Sequence, residues 1–95
     1  MLPLLQGVRI IEVGAVVLGP YAGQILADLG AEVVKVESPK AWDNIRTLLA
    51  PPVSPGEQWW NTAFYFHEYN RNKKSVTLDL ADPKGKELFG RIVAK

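Results

Sequence analysis

The sequence predicts an α/β fold with a parallel β-sheet, on the basis of three observations. Two short runs rich in β-branched residues, VRIIEV and EVVKVE, are separated by a segment of helical length that ends at a glycine. A third short run, SVTLDL, alternates apolar with polar residues and precedes a second helical pattern. Strands that alternate with helices favour a parallel sheet with right-handed crossovers.

The first strand is predicted at residues 8–13, a run that is too short for a helix and that Gly14 follows. A helix is predicted to begin at Gly19-Pro20, because proline suits the first helical position, and to end at Gly30. The helical spacing of its apolar residues predicts one buried face, formed by Ala22, Ile25, Leu26 and Leu29.

The second strand is predicted at residues 32–37, directly after the glycine that ends the helix. Residues 38–56 contain four prolines and few periodic apolar positions, which predicts a long loop with one helical turn near residues 42–49. Loops longer than about 12–15 residues are usually functional or mobile. Residues 57–69 are rich in aromatic side chains and predict a short helix whose rings mainly pack.

The third strand is predicted at residues 75–80, and Asp82-Pro83 predicts the N-cap and first position of a last helix. The buried face of this helix is predicted to hold Leu88, Phe89, Ile92 and Val93. The order β-α-β, loop, β-α is typical of a three-layer Rossmann-like sheet, with strands in the order 3-2-1 or with the third strand on the other side of the first. Because a crossover helix normally leads to another strand, we expect residues 1–95 to be the N-terminal part of a larger, truncated domain.

Composition limits the function classes. The chain has 95 residues, 47% of them hydrophobic and 22% charged, with no cysteine and a net charge of +1. These values are typical of a small globular domain without disulfides, and they give no basic field for nucleic acid. The sequence has no transmembrane run and no signal peptide pattern. We therefore expect a cytoplasmic protein with no nucleic-acid or membrane partner.

The turn at residues 14–20 lies at the carboxyl end of the first strand, where doubly wound folds bind ligands. A phosphate-binding P-loop is excluded, because Pro20 and Tyr21 occupy the positions of its lysine and hydroxyl residue. A dinucleotide motif lacks its second glycine at Val16, although Glu37 has the spacing of a ribose-binding carboxylate. On the glycines alone, the favoured interpretation is that they only permit tight turns and close helix contacts.

Several blocks together resemble a known family. They are LxGVRIIEV at residues 5–13, Gly19-Pro20, LADLGAEVVKVE at residues 26–37, NRNKKSVTLDL at residues 70–80, and Pro83 with Gly85. The chain thereby resembles the class III CoA-transferases, which include carnitine and bile-acid CoA-transferases, formyl-CoA transferase and α-methylacyl-CoA racemase. The resemblance runs from about residue 4 to residue 95.

The resemblance implies a CoA-binding N-terminal segment of a longer enzyme that forms interlocked dimers. It implies transfer of CoA between an acyl-CoA and a small carboxylic acid, through an aspartyl-CoA intermediate and without a metal or other cofactor. The nucleophilic aspartate of the family lies beyond residue 95, so no catalytic residue is expected in this chain. We expect ordinary roles for Asp28, Asp43, Asp79 and Asp82 on a helix surface, in a loop, at a strand edge and as an N-cap.

The resemblance also implies which residues contact CoA. Val17 and Leu18 match first-turn positions whose backbone meets CoA, and Ser38 replaces an arginine that some members carry beside the nucleotide. The segment before the third strand offers amides and cations to the phosphates, although a local run of three charges, here Arg71, Lys73 and Lys74, is more often a solvated turn. The candidates in this segment are Asn70, Arg71, Asn72 and Lys73.

Further positions bear on subfamily and on alternative functions. Residues 41–46 resemble the carnitine branch, whereas Ala15 replaces a polar residue and leaves the acid open. Asp43 and Arg46 are spaced to pair across one helical turn. His67 has no partners at metal-ligand spacing, and Trp59-Trp60 is expected to pack rather than bind substrate. The alternatives are a non-catalytic Rossmann-like binding or assembly module and an NAD-binding domain.

Overall fold

The structure is a computed structural model that describes residues 3–46 and 64–95. Its strands are β1 (Arg9–Glu12), β2 (Glu32–Glu37) and β3 (Lys73–Thr77). Its α-helices are α1 (Leu18–Asp28), α2 (Phe64–Tyr69) and α3 (Pro83–Val93). Short 3-10 helices lie at Pro3–Leu5 and Asn44–Arg46.

The strands form one parallel sheet in the order β1-β2-β3, which confirms the α/β prediction and the first of the two predicted strand orders. Ile11 pairs with Val34, and Lys35 pairs with both Glu12 and Ser75. β3 begins two residues before the predicted strand, because Asn72 takes a left-handed φ of 64° and directs the chain into the sheet. Asparagine is one of the residues that tolerates this conformation.

The predicted buried face of α1 is wrong. Ala22 and Ile25 are exposed, and Leu26 and Leu29 are only half-buried. The side chains that face the sheet are instead those of Pro20, Gly23, Gln24 and Ala27. Gly23 lies against the Glu12 carboxylate of the sheet, and Gln24 accepts the Arg71 N–H at 3.0 Å. Polar contacts and packing space, and not hydrophobicity alone, therefore set the rotation of the helix.

Gly30 ends α1 as predicted. Its φ is 101°, a conformation that glycine adopts without steric cost, and its N–H donates to the Ala27 carbonyl at 3.0 Å. The chain then enters β2, whose Val33 packs with Ala27 and Ala31 in the main apolar cluster. A second cluster joins Ile45 of the 3-10 helix to Phe66 of α2.

The last helix is capped as predicted, because Asp82 accepts a hydrogen bond from the Lys84 N–H at 2.8 Å. Its predicted buried face is only half-buried at Leu88, Phe89 and Ile92, and Val93 is 55% exposed. The predicted helical turn at residues 42–49 corresponds to the 3-10 helix as far as Arg46. The rest of that turn, Trp59-Trp60 and the first part of the predicted aromatic helix lie outside the described residues.

In the two described stretches of chain, none of the helices is both long enough and apolar enough to span a bilayer.

Candidate functional site

The turn between β1 and α1, residues 14–17, has an unusual backbone. Val16 has a φ of 68°, and a β-branched residue in this region is strained by about 1–3 kcal/mol. A Cβ on Gly14 would lie 3.1 Å from Gly19 Cα, so the two glycines let the ends of the turn approach closely. This confirms the structural interpretation of these glycines.

Two buried side chains hold the turn. The Lys35 ammonium donates to the Gly14 carbonyl at 2.9 Å, and the Val16 N–H donates to Asp43 Oδ1 at 2.8 Å. Lys35 Nζ also lies 3.0 Å from Asp43 Oδ2. Lys35 and Asp43 are 1% and 3% exposed, so this ion pair is shielded from water. Asp43 thus has a buried role that its expected place in an ordinary loop does not describe.

Lys35 also belongs to a chain of buried ion pairs beneath α1. Lys35 Nζ lies 3.1 Å from Glu12 Oε2, and Glu12 Oε1 lies 2.7 Å from Lys73 Nζ. The Lys73 ammonium further donates to the Pro20 carbonyl and to Asn70 Oδ1, both at 2.8 Å. Burial lowers the pKa of Lys73 below its ordinary value, and the Glu12 carboxylate beside it opposes this shift. Each ammonium therefore lies within 3.1 Å of three oxygen atoms, which offsets the cost of removing it from water.

A second buried ion pair closes the end of β2. Arg46 donates to both oxygens of Glu37, at 2.6 and 2.8 Å, and its guanidinium lies 3.5 Å from the centre of the Phe66 ring. Asp43 and Arg46 do close a turn through the backbone, since the Arg46 N–H donates to the Asp43 carbonyl at 3.0 Å. Their side chains instead bind partners on β2. Glu37 Oε2 also accepts the Asp43 N–H at 3.0 Å. These bonds occupy the carboxylate that an NAD-binding domain would offer to a ribose.

A cavity of about 210 Å³ opens at the carboxyl edge of the sheet. It lies between the segments that follow the three strands, and most of its lining is apolar. Ala15 and Ser38 contribute from the first and second segments, and Leu78 and Leu80 from the third; Trp42 closes one side. The two leucines were not among the predicted site residues, although they follow β3 as Gly14 follows β1, which places them at the same edge.

The candidate CoA-binding residues fall into two groups. Val17, Leu18 and Ser38 belong to the carboxyl edge, where Val17 is 42% and Leu18 is 88% exposed. Asn70, Arg71, Asn72 and Lys73 precede or begin β3, at the amino edge of the sheet. The structure therefore places Ser38 in the lining of the cavity and Val17 and Leu18 in the exposed turn at the same edge, and it places the other four residues at the opposite edge.

The four residues at the amino edge bond within the chain. Arg71 and Asn72 donate to the carboxylate of Asp28, at 2.8 and 2.7 Å. The bond from Arg71 lowers the pKa of Asp28 below its ordinary value. Asn70 donates to the Phe66 carbonyl at 2.8 Å, and Lys73 is buried as described above. The amides and cations expected to face phosphates therefore already have acceptors within the chain, on α1, α2 and β1.

This arrangement, a parallel sheet with a shaped turn and a cavity at its carboxyl edge, defines an α/β protein with a candidate site at the edge where such folds commonly bind ligands. The chain belongs to CoA-transferase family III, whose family model matches residues 5–95. It is 44% identical over 91 residues to a succinate–glutarate CoA-transferase of Agrobacterium fabrum, a match that covers 96% of this chain and 23% of that protein. It is 42% identical to the human succinyl-CoA:glutarate CoA-transferase, covering 95% of this chain and 19% of the relative.

Solved structures agree with the sequence matches. A CaiB/BaiF family protein from Brucella suis superposes with a TM-score of 0.79 at 43% identity, over 95% of this chain and 23% of that chain. A hypothetical protein from Mycobacterium tuberculosis superposes with a TM-score of 0.73 at 41% identity, over 93% of this chain and 22% of that chain. The chain thus spans about a fifth of the length of the relatives it matches.

Proposed function

We propose that this chain is the N-terminal, CoA-binding part of a class III CoA-transferase, and that its carboxyl edge takes the nucleotide end of an acyl-CoA. The observation that carries the proposal is the juxtaposition of the strained first turn with the cavity beside Ser38. Family membership supports the ligand class, and the position at the carboxyl ends of parallel strands supports the site.

The cavity suits part of CoA rather than the whole molecule. At about 210 Å³ it is smaller than the roughly 300–1,000 Å³ of sites that enclose a drug-sized ligand. Its leucine and tryptophan lining favours a flat, weakly polar group such as the adenine ring. The exposed residues Val17 and Leu18 then face the part of CoA that leads away from the nucleotide.

The phosphates of CoA need cations near this cavity. Lys40 stands two residues beyond Ser38 and is well exposed, with its ammonium 3.0 Å from Asp79 Oδ2. We expect Lys40 to contact a phosphate of CoA, in place of the arginine that some members carry at the Ser38 position. The predicted contacts of Asn70, Arg71, Asn72 and Lys73 with CoA require Arg71 and Lys73 to exchange internal carboxylates for phosphate, and they remain predictions.

In the reaction that we propose for the complete protein, an aspartate beyond residue 95 attacks the acyl-CoA thioester carbonyl and releases CoA thiolate. The thiolate then attacks the resulting anhydride, which gives an aspartyl-CoA thioester and frees the first acid. The residues of this chain bind and orient CoA in both steps. The names of the two relatives above include the dicarboxylic acids succinate or glutarate. We therefore propose that the acceptor of CoA is a dicarboxylic acid.

The remaining parts of the proposal concern the complete protein in the cell. We propose that it acts in the cytoplasm, as the composition predicts, and forms an interlocked homodimer, as the resemblance implies. The carnitine branch suggested by residues 41–46 remains a prediction.

Calorimetric titration of the complete protein with CoA, and separately with NADH, tests this function. We expect CoA to bind and NADH not to bind. Ala41→Phe places a ring at an exposed alanine that lines the cavity, and should weaken CoA binding about tenfold or more. The matched control, Ala94→Phe, changes an exposed alanine at the end of α3 and should bind CoA normally. Absence of CoA binding would refute the function, and normal binding by Ala41→Phe would refute the site.

A further inference from the structure

We propose that Asp43 is a positioning residue that holds the first turn in the conformation required for CoA. The proposal rests on the function proposed above. It starts from one buried ion pair whose two side chains each form a hydrogen bond to the backbone of the turn. Lys35 binds the Gly14 carbonyl at 2.9 Å, Asp43 binds the Val16 N–H at 2.8 Å, and the two side chains lie 3.0 Å apart.

The turn needs these hydrogen bonds because its backbone conformation is unfavourable by itself. Val16 is β-branched and has a φ of 68°, which valine rarely adopts. The next residue, Val17, is the N-cap of α1, and it makes no side-chain hydrogen bond to the helix. The Asp43 carboxylate therefore supplies the acceptor that stabilises the strained residue.

Asp43 is itself fixed in place. Its N–H donates to Glu37 Oε2 at 3.0 Å, and its Oδ1 also accepts the Ile45 N–H at 3.1 Å. Its side chain is 1% exposed. Asp43 thus connects Glu37, at the end of β2, to the turn after β1. Both segments line the same cavity.

The first measurement is hydrogen exchange of the Val16 amide, which reports on its hydrogen bond to Asp43 without any ligand. In Asp43→Ala we expect this amide to exchange about tenfold faster or more, because its acceptor is gone. The control is Val33→Ala, which removes buried apolar volume from β2 without touching the turn. It should lower stability while leaving exchange at Val16 slow.

The second measurement is CoA affinity with a rescue. Asp43→Ala should weaken CoA binding about tenfold, and adding Val16→Gly should recover most of that loss, because glycine adopts this φ without steric cost. A role of Asp43 in general stability alone predicts no rescue. Unchanged exchange at Val16 in Asp43→Ala, or a double variant no better than Asp43→Ala, would overturn the proposal. If the unaltered protein fails to bind CoA, the proposed function fails, and the exchange measurement still decides whether Asp43 holds the turn.

Discussion

A Cβ atom on Gly23 of α1 would lie 1.9 Å from Glu12 Oε1 of β1. Gly23 therefore leaves the space in which the Glu12 carboxylate reaches the ammonium groups of Lys35 and Lys73. A small residue is needed here because the helix approaches a buried charge, and not because the backbone takes an unusual φ. The close approach of α1 to the sheet and the buried ion pairs of Glu12 therefore both depend on the glycine at this position.

Gly23→Ala should destabilise the complete protein by about 1–3 kcal/mol, since overpacking must move either the helix or a bonded carboxylate. Urea unfolding measures the effect. Gly90→Ala is the matched control in α3, where an added Cβ meets nothing within 4 Å. That control should be neutral or stabilising by about 0.5–1 kcal/mol, because alanine favours helix. Equal unfolding midpoints for the two variants would contradict this interpretation.

Lys73 and Lys74 are neighbours in sequence but should differ strongly in their contribution to stability. Lys73→Met leaves the buried Glu12 with one ammonium instead of two, and breaking a buried pair costs about 3–5 kcal/mol. Lys74 is 71% exposed and pairs with Glu32 at the surface, so Lys74→Met should cost less than about 1 kcal/mol. Urea midpoints of the two variants, measured side by side, test the difference, and similar losses would count against it.

Asp28 should titrate below its ordinary pKa of 3.8 in the folded protein. The hydrogen bond from Arg71 is the main cause, so Arg71→Gln should raise the pKa of Asp28 towards that value, as read by carboxyl carbon NMR. Because the folded pKa is depressed, the pair stabilises the fold above the unfolded pKa. This contribution is lost as the pH falls through the folded pKa. An Asp28 pKa that Arg71→Gln leaves unchanged would disprove the assignment.

Asp82 should stabilise the start of α3 through its bond to the Lys84 N–H. Asp82→Ala removes this acceptor and should cost about 0.5–2 kcal/mol, whereas Asp82→Asn keeps an acceptor and should cost much less. Thermal unfolding of both variants compares them directly. A loss as large in Asp82→Asn as in Asp82→Ala would show that charge, and not the cap bond, matters.

The sequence predicted the parts of the fold that depend on local rules. Gly30 ends α1 because its left-handed φ suits glycine, and Asp82 caps α3 because its carboxylate reaches a free N–H. The buried face of α1 was not predictable from hydrophobic spacing, since Gly23 and Gln24 face buried polar groups of other elements.

The candidate site was predicted less completely than the fold. Val17, Leu18 and Ser38 lie at the carboxyl edge, and their contacts with CoA remain predictions. The buried ion pairs were missed, although Glu12 and Lys35 are charged residues inside otherwise apolar strands, and that pattern indicates paired partners in the core. Asp43 gave no such indication, because its contacts join segments 27 residues apart in sequence.

The central claim is that CoA binds at the carboxyl edge of the sheet. Hydrogen–deuterium exchange of the complete protein, with and without saturating CoA, tests it most directly. We predict that CoA slows exchange at residues 14–18 and 38–41, and leaves the outer face of α3 unchanged. CoA binding that leaves both of these segments unprotected, with protection confined to other parts of the chain, would contradict the claim.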